Sequence, residues 1–397
     1  MKKLFQMGVV VLFTFIITIP VQAQTVEERL TALESQMTDV QQLAFDLATL
    51  LGSLQPDLVA ILTALTDQQT TIATIQTNVT ALQTSQTTQN TDISELKTRF
   101  TGVTRTGSTI LFTDLNLQVV SGSGSTNGTV NGRGNIIVGY NEDIFPFLGG
   151  IPALPLSNKT GSHNLVVGKG LNYSSYGAVV SGLDNVSGAP YASLLGGNRN
   201  RATGNHSGIV GGESNQATGF WSSTIGGINN LASNLHTNVS GGGNNTASGF
   251  ESSISGGRDN KATFIYSSIS GGQNNTASNS YASISGGRDN TASGTYSSVS
   301  GGRNNLASGR NSSVSGGEGN TASGIRASVS GGDGNTASFT TSSISGGNAN
   351  TASGLHSSVT GGRVNTANAL RATVSGGWGR VSNGADDWRA GGLFQDD

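Results

Sequence analysis

Residues 297–311 read Ser297-Ser-Val-Ser-Gly-Gly-Arg-Asn-Asn-Leu-Ala-Ser-Gly-Arg-Asn311, and the next fifteen read Ser312-Ser-Val-Ser-Gly-Gly-Glu-Gly-Asn-Thr-Ala-Ser-Gly-Ile-Arg326. The second phrase repeats the pattern of the first. Outward in both directions a Gly-Gly pair returns every fifteen residues, from Gly196-Gly197 to Gly391-Gly392, fourteen doublets in one phase. A short fixed period means one structural unit stacked on itself. Such a stack builds length rather than an enclosed site.

Within a repeat, alternation of period two marks two short strands. One centres on the apolar residue before Ser-Gly-Gly, such as Ile254, Ile269, Val299 and Val359. The other centres on an alanine, such as Ala247, Ala262, Ala292 and Ala352. Each coil therefore hides one branched side chain and one Ala, a thin core that association of several chains is expected to augment. The Gly-Gly pair and glycines of the Gly249 type are expected at corners needing positive φ. Asn recurs at one phase from Asn185 to Asn365, thirteen times. Asn tolerates the left-handed conformation, and stacked amides form ladders. The fold class expected for residues 181–397 is an all-β parallel β-solenoid with 15-residue coils and a C-terminal cap. At ~4.8 Å per coil the stack is roughly 70 Å long.

Ahead of the solenoid lies an α-helical coiled-coil stalk, residues 24–103. From Val26 to Val103 apolar residues step by four and three through eleven heptads in one register. One helix cannot bury such a seam. The residues assigned to oligomerisation are Leu30, Leu33, Leu51, Leu54, Leu58, Ile61, Leu65, Ile72, Ile75, Val79, Leu82, Ile93 and Leu96. Leu at a, with Val26, Val40, Ile61 and Ile75 at d, favours three or four strands over a parallel dimer. Gln68, Gln86 and Gln89 make polar core layers, which cost stability and fix register. Gly52 and Pro56 interrupt the run, and a proline kinks or breaks a helix. The unshifted heptad count favours a kink; the alternative is a hairpin of 26–53 on 57–100. A straight stalk would be roughly 115 Å long at 1.5 Å per residue.

Residues 1–23 read as a secretory signal: Lys2 and Lys3, an apolar run Met7–Ile19, then Val21-Gln22-Ala23. The mature chain is expected to be secreted or held at a bacterial cell surface, with no second apolar segment of membrane length. Residues 104–180 form a neck and irregular first coils. Gly102 ends the helix, Thr109–Val120 reads as a strand, and Ser121–Gly128 is turn-rich. The phrases 134–139 and 163–168 read as early turns of the stack. An apolar insertion, 144–156, with Pro146, Pro152 and Pro155, is expected to cap the stack or to bind something. At the far end Trp378, Trp388, Leu393 and Phe394 either cap the last coil or dock on a neighbour.

Net charge is −2 and only 11% of residues are charged, without the basic stripe of a nucleic-acid binder. The chain has no Cys, and its four His are His163, His206, His236 and His356. The last three share one phase but stand at least two coils apart, about 10 Å, too far to share a metal. Gly331-Gly-Asp-Gly334 has the letters of a calcium-binding nonapeptide but the wrong period. Asp259 and Asp289 are also two coils, roughly 10 Å, apart, beyond the pairing distance of catalytic carboxylates. The chain is read as non-enzymatic, with no cofactor or metal.

One row invites a binding reading: Tyr191, His206, Trp221, His236, Tyr266, Tyr281 and Tyr296. Glu251, Asn311, Arg326, Thr341, His356 and Arg371 share its phase. These residue types are enriched at binding hot spots. The partner would be a glycan, a matrix protein or a surface protein. The alternative is an aromatic ladder packed at a corner or between chains. The Ser-(Val/Ile)-Ser and Thr-Ala-Ser ladders form hydroxyl rows of the kind that order water on ice-binding solenoids, interrupted at Lys261 and Leu306.

A signal peptide, a heptad stalk over 26–103 and a Gly/Ser/Asn/Ala repeat over 109–392 together resemble the trimeric autotransporter adhesins, in particular their YadA-like head repeats. The match is to repeat architecture. The family's Val-Ala-Ile-Gly appears here as Ser298-Val-Ser-Gly-Gly302, the stalk precedes the head, and no family-type C-terminal anchor is read. The resemblance implies a left-handed β-roll head, a homotrimer and an adhesin-like, extracellular role. A subunit of an end-to-end filament is the alternative.

Overall fold

The computed structural model describes residues 25–144 and 157–390. The signal reading of 1–23, most of the insertion, and Leu393 and Phe394 fall outside the described residues. The chain divides into two compact units, one ending at Asn116 and one beginning at Leu117.

The first unit is dominated by one helix, α1 (Val26–Arg99), 74 residues without interruption. Its start is set locally. The Glu28 carboxylate accepts the Thr25 N–H at 3.0 Å. Glu27 and Glu28 in the first turn, and Lys97 and Arg99 in the last, complement the helix dipole. Threonines are weak helix formers, and Thr63, Thr66, Thr70 and Thr74 each donate to the carbonyl four residues back at 2.9–3.0 Å, a bond that competes with the helix ladder rather than reinforcing it. Pro56 lies inside the helix, so the expected alternative of a 26–53 hairpin on 57–100 is overturned. No residue of α1 is buried. By length and composition α1 could also cross a membrane, since an eighteen-residue window reaches a mean hydropathy of 1.4. That corrects the expectation of no second apolar segment of membrane length. The apolar stretch Leu51–Leu65 nonetheless contains Gln55, Pro56 and Asp57.

The heptad's last member, Val103, leaves the helix. It opens β1 (Val103–Thr106), which pairs antiparallel with β2 (Thr109–Phe112), Val103 opposite Phe112. The strand expected over Thr109–Val120 stops at Phe112. Thr113 turns its N–H back to the Gly102 carbonyl at 2.7 Å, and Asp114 has a φ of 56°.

The second unit is an all-parallel β-solenoid of about fifteen coils. One sheet begins with β3 (Ile136–Val138) and β4 (Leu165–Lys169), continues with Val179–Leu183, and then takes one short strand per coil to Trp388–Arg389. The other runs over fifteen strands from Asn172–Tyr173 to Val381–Ser382. Successive coils pair with an offset of fifteen residues, as in Ser253↔Ser268 and Ala262↔Ala277. The first coils are irregular, offset by fourteen, as in Leu165↔Val179. The first sheet is an open ladder, its terminal strands each having one partner.

The expected core rows are in place. Ile254, Ile269, Val299, Ala262 and Ala292 are all 0–1% exposed within a single chain. The solenoid core is therefore complete without a partner. It is thin because half of each layer is polar. The Asn row is buried with it, and its role differs from a left-handed position or an amide-on-amide stack. In Asn290 the amide oxygen accepts the N–H of Asn305 at 3.0 Å. Its NH2 donates to the carbonyls of Gly286 and Gly302, both at 3.0 Å. From Asn200 to Asn350 one buried amide per coil thus bonds three backbone groups at a corner, among them the Gly302-type carbonyl that also accepts the Arg288-type N–H of the preceding coil. The left-handed residue is the one before, such as Asp289 at φ 58°.

The glycines divide the same way. From Gly196-Gly197 to Gly361-Gly362 only the second of each pair has positive φ: Gly287 sits at +86°, and a Cβ there would lie 2.2 Å from the Gly302 carbonyl oxygen. A Cβ on Gly286 would meet nothing. Gly249 has ordinary φ and is small because the next coil's Phe264 carbonyl oxygen would stand 1.9 Å from its Cβ.

Candidate functional site

All members of the expected stripe fall on one corner of the solenoid, and the backbone there is unusual. Tyr191, His206, Trp221, His236, Tyr266, Tyr281 and Tyr296 have φ between 51° and 61°. So do Glu251, Arg326 and the β-branched Thr341. This is the left-handed region, which costs a non-glycine residue on the order of 1–3 kcal/mol. The neighbouring coil holds it: the Tyr281 N–H donates to the Ile265 carbonyl at 3.0 Å, and the Trp221 N–H to that of Asn205 at 2.9 Å. The residue after each stripe position turns inward as a buried Ser, Ala or, after His236, Thr, as in Ser267, Ala282 and Thr237.

The rings form two ladders. Tyr191 and His206 stack with centroids 4.9 Å apart, His206 and Trp221 lie 5.6 Å apart and tilted, and Trp221 and His236 stack at 4.9 Å. Glu251 breaks the series. Tyr266, Tyr281 and Tyr296 then stack at 4.8 and 4.6 Å. Each aromatic contact contributes about 0.5–1.5 kcal/mol, so stacking offsets much of the backbone strain. The expected alternative of a corner ladder is thus part of the answer. It also limits the chemistry. Interior ring faces are covered by neighbouring rings, so solvent meets edges and phenol hydroxyls. Tyr281 is 45% exposed. Burial of its ring raises its phenol above the ordinary value, and Tyr296, Tyr266 and Glu251 add to this. It therefore remains a neutral O–H donor at physiological pH.

Farther along, the row becomes polar. The Thr341 hydroxyl and His356 Nδ1 are 2.5 Å apart, and Arg371 makes a bidentate pair with Asp386 at 2.5 and 2.9 Å. The position before the stripe carries Phe220, Leu235, Phe250 and Ile265, a feature the sequence reading missed although the four residues share one phase. Phe220 packs edge-on against Trp221 at 4.1 Å, and with Leu235 and Asn234 they line a shallow open depression.

The hydroxyl rows lie in register on the outer faces of both sheets. Asp259 and Asp289, weighed earlier as a carboxylate pair, each engage local partners instead. Asp259 lies 3.3 Å from Arg258 and accepts from Asn244; Asp289 lies 3.2 Å from Arg288 and accepts from Asn274. Among the described residues no group of three or more His, Asp or Glu is placed to hold a metal ion. The oligomerisation residues all lie on α1 with their side chains exposed, from 45% at Val79 to 69% at Leu82.

Compared with protein-family models the chain matches none, and no curated protein matches it. The architecture is compatible with a fibrous repeat protein.

Proposed function

We propose that this chain is a secreted or surface-associated, adhesin-like fibre whose copies, three in the preferred reading, assemble through α1. The solenoid is then a rigid rod that displays the corner stripe for attachment to a glycan, a matrix protein or a surface protein. The observation that carries this reading is the stripe itself: aromatic side chains held at left-handed positions along an exposed corner, with hydroxyls at the edges. A hydrogen-bonding ligand suits that edge better than one that must stack on an open ring face.

The test compares the full chain with a triple variant, Tyr266→Gly, Tyr281→Gly and Tyr296→Gly, on arrays of glycans and matrix proteins. Glycine accepts the left-handed backbone, so the variant keeps its fold. Binding that drops at least about tenfold, roughly 1.4 kcal/mol, supports the stripe. Binding left unchanged moves attachment off this corner.

A filament is the second reading. The last described coils expose Trp378 at 77%, Val381 at 44% and Trp388 at 63%. Mass that grows with concentration and falls on Trp388→Ser would favour it.

A further inference from the structure

Along the first sheet, the outward residue before each Gly-Gly pair changes character once. It is Leu195, Val210 and Ile225 in three successive coils, and Ser240, Ser255 and Ser270 in the next three. Serine or threonine then holds the position through Ser375. Leu195, Val210 and Ile225 are 57%, 51% and 50% exposed, while their inward neighbours Leu194, Ile209 and Thr224 are 0–1% exposed. Backbone bonds stack the three directly: Leu195 N–H to Ile209 at 2.9 Å, Val210 N–H to Thr224 at 3.1 Å. On the near side Ser181 occupies the same outward row, so the apolar strip is bounded by a hydroxyl residue at both ends. A contiguous exposed apolar surface of this kind marks an interaction site.

We propose that this strip is where the solenoids of neighbouring copies of this chain touch, and that the contact ends at Ile225. Beyond it the faces carry hydroxyls and stay hydrated. The inference rests on the oligomeric reading of α1. In a rotational oligomer the same residues of each copy meet around one axis, so the contact surface must tolerate itself. The two outward rows from Ser193 to Ile225 carry no charge, so copies can meet there without repulsion. The outer face of the second sheet fails this requirement, since it would set Arg201 against Arg201 and Lys261 against Lys261. The strip lies in the first three coils of the strict fifteen-residue register.

The chain has no cysteine, so single cysteines report cleanly. The full chain is made with Leu65→Cys, Val210→Cys or Ser300→Cys, mildly oxidised at two dilutions, and run on a non-reducing denaturing gel. Val210 and Ser300 occupy the same outward row six coils apart, and neither side chain supports the core. Leu65→Cys and Val210→Cys should both give dilution-independent cross-linked bands. Ser300→Cys should cross-link at least about tenfold less, because a disulfide needs Cα atoms within about 7 Å. Cross-linking at 65 but not at 210 overturns the strip while leaving helix assembly intact. Strong cross-linking at both 210 and 300 overturns the boundary at Ile225. Failure at both 65 and 210 overturns the oligomeric reading itself.

Discussion

Helix α1 and the solenoid handle apolar surface in opposite ways. A solenoid coil reduces Ile284, Ala292 and Asn290 to 0–1% exposure within one chain, while α1 buries none of its 74 residues. The difference follows from the two periods. A fifteen-residue repeat closes one circuit, so the next coil arrives as the neighbour that covers the last. A heptad repeat runs its seam along the outside of a rod, where only another helix can reach it. The solenoid covers its apolar rows within one chain; the helix leaves its apolar seam open.

The largest expected effect breaks that contrast at the helix. With Leu58→Asp and Leu65→Asp together, two carboxylates per copy would enter the proposed interhelical core, an environment that penalises unpaired charge by several kcal/mol. Light scattering on the full chain should fall from a multi-chain to a single-chain mass, and most of the helical circular dichroism should go with it. Amide protection in the solenoid should persist. A multi-chain mass that survives the double substitution would mean that the head, not the helix, holds the copies together.

A smaller effect sharpens the solenoid side. Gly287→Ala should destabilise its coil by at least about 2 kcal/mol, because alanine at φ +86° is strained and its Cβ would overlap the next coil's backbone. Gly286→Ala should stay within about 0.5 kcal/mol, as expected for an open position. Denaturant unfolding read beside limited proteolysis at this corner checks both. Equal effects at 286 and 287 would contradict the assignment of the two glycines to different roles.

The period, the two strands per coil, the Ile/Val and Ala rows and the existence of α1 were all legible in the sequence, because each is a strict periodicity of apolar residues. What escaped depends on where polar groups meet across coils. The thirteen asparagines look like turn residues in one dimension. Their work, one amide satisfying three backbone groups on two coils, exists only once the coils are stacked. The positive φ of Tyr281 or Trp221 escaped because aromatic residues give no local hint of it. Thr113 ended a run that alternation alone would have continued. The apolar strip was readable: Leu195, Val210 and Ile225 depart from the Ser of the consensus. Reading the repeats as equivalent hid the departure.

The smallest effect concerns the residues that flank 145–156, where Glu142 and Asn158 carbonyls accept from the next coil's Gly170 and Tyr173 N–H groups. The Asp143 carboxylate accepts from the Ser157 hydroxyl and lies 3.0 Å from the Lys159 ammonium, which also donates to the Asn141 carbonyl at 2.6 Å. The Ser157 hydrogen bond, then Lys159, hold its carboxyl below the ordinary value. A lowered folded value means the contribution is present above the ordinary carboxylate range and is lost as pH falls through the folded value. Asp184 runs the other way. Its burial raises the carboxyl, opposed by Arg199 and Arg201, so its contribution is present at low pH and is lost as pH rises through the folded value. A local readout separates the two. Protection factors at Gly161 and Tyr173, whose N–H groups bond to Tyr173 and Asn158, should fall modestly between pH 6 and about 3. Asp143→Asn should flatten that dependence and leave the solenoid from Asn200 onward unchanged. A dependence that survives the substitution would place the acid-sensitive tie elsewhere in the first coils, with the pair Glu142 and Lys169, 3.1 Å apart, the next to remove.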